Sequence, residues 1–264
     1  MVSGADTHIS GQIGGNGMKI FGITFRNEFI RMLRRKKLLA GMIIAAAIPL
    51  AVALANVLAL GWNNAVIYRE DLFRLALGIF TPLILPLFAV SLVADAFIDE
   101  QSKGSMRTSV LLPDSRTGHF AAKVTCAIAG ALTMLMTLWT ANLIFGLALP
   151  SRGKWLLSMG NGILQALGSL FPILVVIGFS VLGAQILKST SGLLLSLIGL
   201  AIAMDISRLW IGDLNGFLPV NWLGAGAGFI YLSMGSLLVT LVSMLLWTVF
   251  TCGLALLRFE RRMI

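Results

Sequence analysis

Five stretches of this sequence run for at least 20 residues with almost no charge: Leu38–Leu60, Leu75–Ala94, Val124–Leu149, Ile163–Leu187 and Ser233–Leu257. A helix needs about 20 apolar residues to cross the hydrocarbon core of a bilayer. The runs are continuous rather than alternating, which argues against a membrane barrel and predicts helices. A sixth, weaker run spans Leu193–Met204 and extends to Ile211. Of the 264 residues, 58% are hydrophobic and 12% charged, where a soluble domain carries about 25% charged residues. Too little polar surface exists to cover a water-soluble fold, so lipid is the solvent, and there a helix satisfies its own backbone. The fold class expected is all-α: a polytopic membrane protein of six transmembrane helices.

The net charge of +9 follows from the loops and needs no nucleic-acid partner. With the N-terminus placed in the cytoplasm, 15 of the 20 basic residues fall on cytoplasmic segments and 5 outside. This bias predicts a multi-pass protein of the cytoplasmic (inner) membrane with both termini cytoplasmic. Trp62, Tyr68, Trp155, Trp210, Trp222 and Tyr231 fall at the outer edge as an aromatic belt, while Trp139 and Trp247 lie deeper and read as packing residues. Pro82 and Pro86 remove backbone donors and should bend the second span, as a static kink or as a hinge.

Residues 1–17 are Gly-rich, lack the features of a secretory signal and read as a disordered leader, with Met18 a natural start. The membrane-spanning body is then 18–264. Residues 212–231 are nearly uncharged yet broken by Gly and Pro, which predicts a re-entrant or interfacial hairpin before the sixth span.

Two segments carry charge in a pattern. In 18–37, apolar Ile20, Ile23, Phe25, Phe29, Ile30 and Leu33 recur near helical spacing, and Arg26, Arg31, Arg34 and Arg35 fill the remainder. This is a basic amphipathic helix at the inner surface, or a cytoplasmic anchor that sets topology; the two are compatible. The segment 95–123 mixes Asp95, Asp99, Glu100, Lys103 and Arg107 with breaks at Gly104 and Pro113. It can be a short helix that docks into a partner, or an ordinary solvated loop. Asp95 reads as part of that surface or as simply exposed.

Glu100, then Lys103-Gly104-Ser105, then Leu111-Leu112-Pro113-x-Ser115-Arg116, then Lys123, resembles the signature of type-2 ABC exporter permeases. Arg26-x-Glu28 followed by Arg34-Arg35 is similar to the amphipathic elbow helix of that family. Asp114 departs from the pattern, since the family more often has an apolar residue between the Pro and the Ser. The resemblance implies a permease subunit, without an ATPase motif of its own, in an exporter of the drug, antimicrobial-peptide or lipid kind. It further implies two ABC ATPase subunits that bind ATP and Mg, and a second permease copy or a sibling permease. It makes Asp99, Glu100, Lys103, Gly104, Ser105, Arg107, Pro113 and Arg116 the interface that couples to the ATPase. Within it, Glu100 and Lys103 are charges for pairing across the contact, Gly104 ends the coupling helix and Pro113 stops its continuation.

Other signals are weaker. Gly183 to Ser189 has Leu187 where a P-loop needs its second Gly. Met134 and Met136 point to different helix faces, and His8 and His119 stand alone, so no metal or other cofactor is expected in the chain itself. Asp205 and Arg208, at i and i+3 near the outer end of the fifth span, suit a charge pair. Almost no charge falls inside the spans, so the cargo expected is amphipathic rather than a sugar or ion. The rival readings are an ion-gradient-driven secondary transporter, which usually carries intramembrane acids and internal repeats, and a stand-alone membrane immunity or anchor protein.

Overall fold

A computed structural model of the chain describes residues 22–60, 67–102, 116–211, 219–223 and 234–262. The described residues are helical, without a strand. Helix α1 covers 22–33 and ends in a turn at Arg34. Then follow α2 (Lys36–Leu60), α3 (Arg69–Ile79), a π-helical turn (Phe80–Ile84), α4 (Leu85–Ser102), α5 (Arg116–Gly146), α6 (Trp155–Ala184), α7 (Thr190–Ile211), a 3₁₀ turn (Pro219–Trp222) and α8 (Met234–Arg262). Helix α3, the π turn and α4 run on as one crossing, so six helices are long and apolar enough to span a membrane.

The second, third and fourth spans form the centre. α5 packs against α2, α4 and α6, and α6 packs most extensively against α8. The fifth and sixth spans are peripheral: 6% and 17% of the residues in their most apolar stretches are buried within the protein, against 50% for the second and fourth. In water such outward Leu and Ile would be a liability; in lipid they are the expected surface.

The bend expected of Pro82 takes the form of the π turn that contains it. Pro82 has no N–H to give, and one wide turn absorbs the mismatch. Thr81 Oγ1 returns a hydrogen bond to the Leu77 carbonyl at 2.7 Å. Pro49 and Pro172 also lie inside helices.

The helices are longer than the apolar runs. The second span starts at Arg69 rather than Leu75 and runs on to Ser102 rather than Ala94. Residues 95–102 therefore continue a helix, and Arg116–Lys123 already belongs to the next, so 103–115 is what lies between them. A helix passes through charged residues when those residues find partners, as Asp95 does below.

On α1, Phe25, Phe29 and Met32 face the bundle, whereas Ile23, Ile30 and Leu33 are exposed. The helix thus has one apolar face against protein and a second turned outward. Its close approach to the third span depends on Gly130, where a Cβ would meet Leu92 Cδ1 at 2.7 Å and Met32 Sδ at 3.0 Å.

Trp222 corrects the aromatic belt: it is buried, packed with Val175 and Met244 between the fourth and sixth spans. Trp247 packs on Phe179 and Phe250, and Trp139 against the main core, as read from their depth. Of the expected hairpin 212–231, all but residues 219–223 lies outside the described residues, as do the leader and residues 103–115.

Candidate functional site: a charged junction and an apolar cavity

The end of the bundle where α1 meets α2 and α8 finishes is built around Asp95, which is 3% exposed. Arg35 Nη1 reaches one carboxylate oxygen at 3.0 Å and Lys37 Nζ the other at 2.6 Å. Arg35 Nη2 also donates to the Asp95 backbone carbonyl at 3.3 Å, and Arg35 Nη1 lies 4.0 Å from Asp99. Burial of a lone carboxylate is costly, and here two cations offset it, one on each oxygen. The turn after α1 exists at this point for the same reason. It ends one helix at Arg34, starts the next at Lys36, and so aims Arg35 and Lys37 at one acid.

Asp95 is therefore neither exposed nor free to meet a partner protein; the acid that belongs to the surface is Asp99, whose side chain is 39% exposed. Lys123, fully buried at the start of the third span, donates to the Ala96 carbonyl at 2.8 Å and lies 5.4 Å from the Phe97 ring centre. Phe97, Phe120 and Phe259 meet in edge and tilted contacts. The ends of the second and sixth spans and the start of the third are thereby joined, with the α1–α2 turn pinned to the same point.

The structure brings together some of the expected site residues and leaves others apart. Arg35 joins the junction; Glu28 lies beside it and pairs with Arg31 at 3.7 Å. Arg26 and Arg34 are exposed. Glu100 lies on α4 and Arg116 opens α5, but their side chains are outside the described residues, as are Lys103, Gly104, Ser105, Arg107 and Pro113. Asp205 is exposed on α7, and the side chain of Arg208 is not described.

The opposite end is clamped by two side chains from the start of α3. Arg69 donates to the carbonyls of Gly146, Leu147 and Leu149 at 2.8, 3.1 and 3.1 Å. It satisfies the orphan carbonyls at the end of α5 with a cation, the favourable sign there. Glu70 Oε1 accepts from Ser151 Oγ at 2.6 Å and from the Arg152 N–H at 2.9 Å, while Ser158 Oγ donates to the Glu70 carbonyl. Arg152 lies 3.9 Å from the Tyr68 ring centre and 3.6 Å from Asp71. Replacing Arg69 by Met should lower stability by about 1–2 kcal/mol, read from thermal unfolding in mild detergent. A Met variant as stable as the parent would show that water caps α5 equally well.

Between these ends lies an apolar cavity of about 310 Å³. Pro82 and Pro86 of the bent second span, Pro172 and Phe179 of the fourth, and Leu197 and Ile198 of the fifth line it. No charged side chain does. The π turn that holds Pro82 lies along this wall. The cavity volume lies at the low end of the range for small-molecule sites.

Sequence reading missed the junction as a unit. Its one signal was an acid, Asp95, closing an apolar run at a depth where a charge needs a partner. Comparison with known proteins shows the family. A family model described as "ABC-2 family transporter protein" matches residues 24–204. That range takes in α1 from Thr24, the Asp95 ion pairs and every wall of the apolar cavity except Pro219 and Leu223. No curated protein matches the chain.

Proposed function

Because this chain belongs to the ABC-2 transporter family, and is thus a multi-pass membrane permease of an ABC transporter, we propose that it is the exporter subunit that couples to separate ATPases at the Asp95 junction. The bundle end with both termini faces the cytoplasm of the cell that carries it in its inner membrane. Two ATPase subunits, holding ATP and Mg, dock on the segment from Asp99 to Arg116. The carrying observation is the pinning of Arg35 and Lys37 to Asp95, four residues before Asp99 on the same helix. A push on that segment is then shared by the first and second spans, and through Lys123 and the Phe97–Phe120–Phe259 contact by the third and sixth. Rigid, jointly held helix ends are what a two-state rearrangement requires.

The fifth span is the least buried, with Leu195 70% exposed and Ile202 55% exposed, which supports it as a seam with a second copy or a sibling permease. The apolar cavity beside it supports an amphipathic cargo: a drug, a peptide or a lipid. A gradient-driven carrier would place unpaired acids inside the spans, whereas Asp95 is committed to two bases.

Glu100→Lys tests the coupling role. The variant should retain expression and ATP hydrolysis by the associated subunits and lose cargo export by about tenfold or more, the loss expected of a reversed interface charge. Undiminished export, with the ATPase subunit still recovered on purification, would remove the role from Glu100. Repeated purification without a stoichiometric subunit carrying a Walker A sequence would favour the stand-alone anchor or immunity reading.

A further inference from the structure

Beside the Asp95 ion pairs lies a small cavity of about 20 Å³, enclosed by α1, α4 and α5. Met32 of α1, Leu92 and Ala96 of α4, and Ala127 of α5 make the apolar part of its wall. The rest is Glu28 on α1, Arg35 between α1 and α2, and Lys123 and Cys126 on α5. One water needs about 10–15 Å³ of such space. The cavity therefore takes a single water and no larger molecule.

Its wall carries both signs of charge. Arg35 is held by Asp95 at 3.0 Å. The Cys126 thiol donates to the Phe25 carbonyl at 3.7 Å, so it brings no donor to the cavity. Two groups remain to be considered. Glu28, with 16% of its side chain exposed, lies 3.7 Å from Arg31, further than a hydrogen bond reaches. Among the described residues its ion pair is with Arg31 and not with Lys123. Lys123 is fully buried and donates to the Ala96 carbonyl at 2.8 Å. An ammonium has three donors and a carboxylate about four acceptor sites. Acceptors on α1 and donors on α5 thus border the same small space.

This pairing selects the guest. Lys123 and Arg35 repel a free cation, and Glu28 repels a halide. Water suits both signs, because it donates to a carboxylate while it accepts from an ammonium. A bridging water is nearly as favourable as a direct hydrogen bond, and charged groups at this depth are costly where such bonds are not made.

We propose that this cavity is a binding site for one ordered water, which donates to the Glu28 carboxylate and accepts from the Lys123 ammonium. It ties α1 to the start of the third span, as Arg35 ties the α1–α2 turn to the second. The link belongs to the chain alone and holds whether or not the permease reading does.

A structure of the full chain at a resolution that shows ordered water should have one peak within hydrogen-bond distance of both a Glu28 carboxylate oxygen and Lys123 Nζ. No peak there overturns the proposal. So does an anomalous peak at that place in a bromide-soaked crystal, which would make it a halide site. Ala127→Thr and Ala127→Val supply a second test, because the two side chains share a shape and both fill the cavity. Thr puts a hydroxyl where the water lies, and Val puts a methyl. In mild detergent the Val protein should unfold about 3–6 °C below the Thr protein. In a dry cavity the order reverses, since the hydroxyl is then buried without need, and equal or reversed midpoints overturn the proposal. Ala131, one turn on in α5, is fully buried and does not line the cavity. There Thr should gain nothing over Val, and an equal gain at both positions also overturns the site. If neither Ala127 variant folds, the peak alone decides.

Discussion

Replacing Arg35 by Gln should destabilise the protein by about 2–3 kcal/mol and abolish export where the chain still folds. The reason is the carboxylate left behind. Asp95 keeps 4% of its side-chain surface exposed and would retain only Lys37, whose side chain is 49% exposed. Removing one member of a buried pair typically costs about 3–5 kcal/mol, and the surviving Lys37 contact reduces that figure. Lys37→Gln should cost less, about 1 kcal/mol, because a half-exposed ammonium is screened by water. Asp95→Asn leaves Arg35 within 4.0 Å of Asp99, which takes over part of the charge. The double variant Arg35→Gln/Asp95→Asn should therefore be less damaged than the two single losses added together, by about 1–3 kcal/mol of coupling. Thermal unfolding of the four proteins in mild detergent measures this. Strict additivity would mean that the two side chains do not work as a pair, and the junction would lose its role in joining the first and second spans.

The same pair shows what a sequence can and cannot reveal. The spans were legible because lipid imposes a length and forbids charge, and a run such as Leu38–Leu60 has no soluble alternative. Their ends were not. An apolar run ends at its first charge, while a helix ends where its backbone loses partners, and Arg69 and Asp95 each find partners far along the chain. Arg35 and Asp95 are 60 residues apart, so a linear reading put one in an amphipathic or anchor helix and left the other on an interface or simply exposed. The cavity between spans was half legible. Pro82 and Pro86 announced a bend, but the opposite wall is made by Pro172 and Phe179, and nothing local in the sequence says that these helices face each other.

Gly178→Leu should cost about 3 kcal/mol, near the upper end for overpacking a core, and should loosen the sixth span. Gly178 is where the fourth span meets the sixth. A Cβ there would overlap Thr251 Oγ1 and come within 3.3 Å of Thr251 Cβ and 3.6 Å of the Thr248 carbonyl. Thr251 cannot swing aside cheaply, since its hydroxyl donates to the Trp247 carbonyl at 2.8 Å. The backbone of α8 must then move, and with 17% of its apolar stretch buried it has little else to hold it in place. Movement at this point would also disturb Phe259, two turns on, where it meets Phe97 and Phe120 at the junction. A smaller probe isolates the cause. Gly178→Ala should cost about 1–2 kcal/mol, and Thr251→Ala should restore most of that loss, because it deletes the overlapping oxygen and leaves the 3.3 Å contact. The same Thr251→Ala change should fail to rescue Gly178→Leu, whose branch meets backbone as well. Thermal unfolding and detergent-stable yield report both outcomes. A Gly178→Ala protein as stable as the parent would show that the two helices are not in close contact here. A Thr251→Ala change that worsens Gly178→Ala would show that the hydroxyl contributes more than it obstructs.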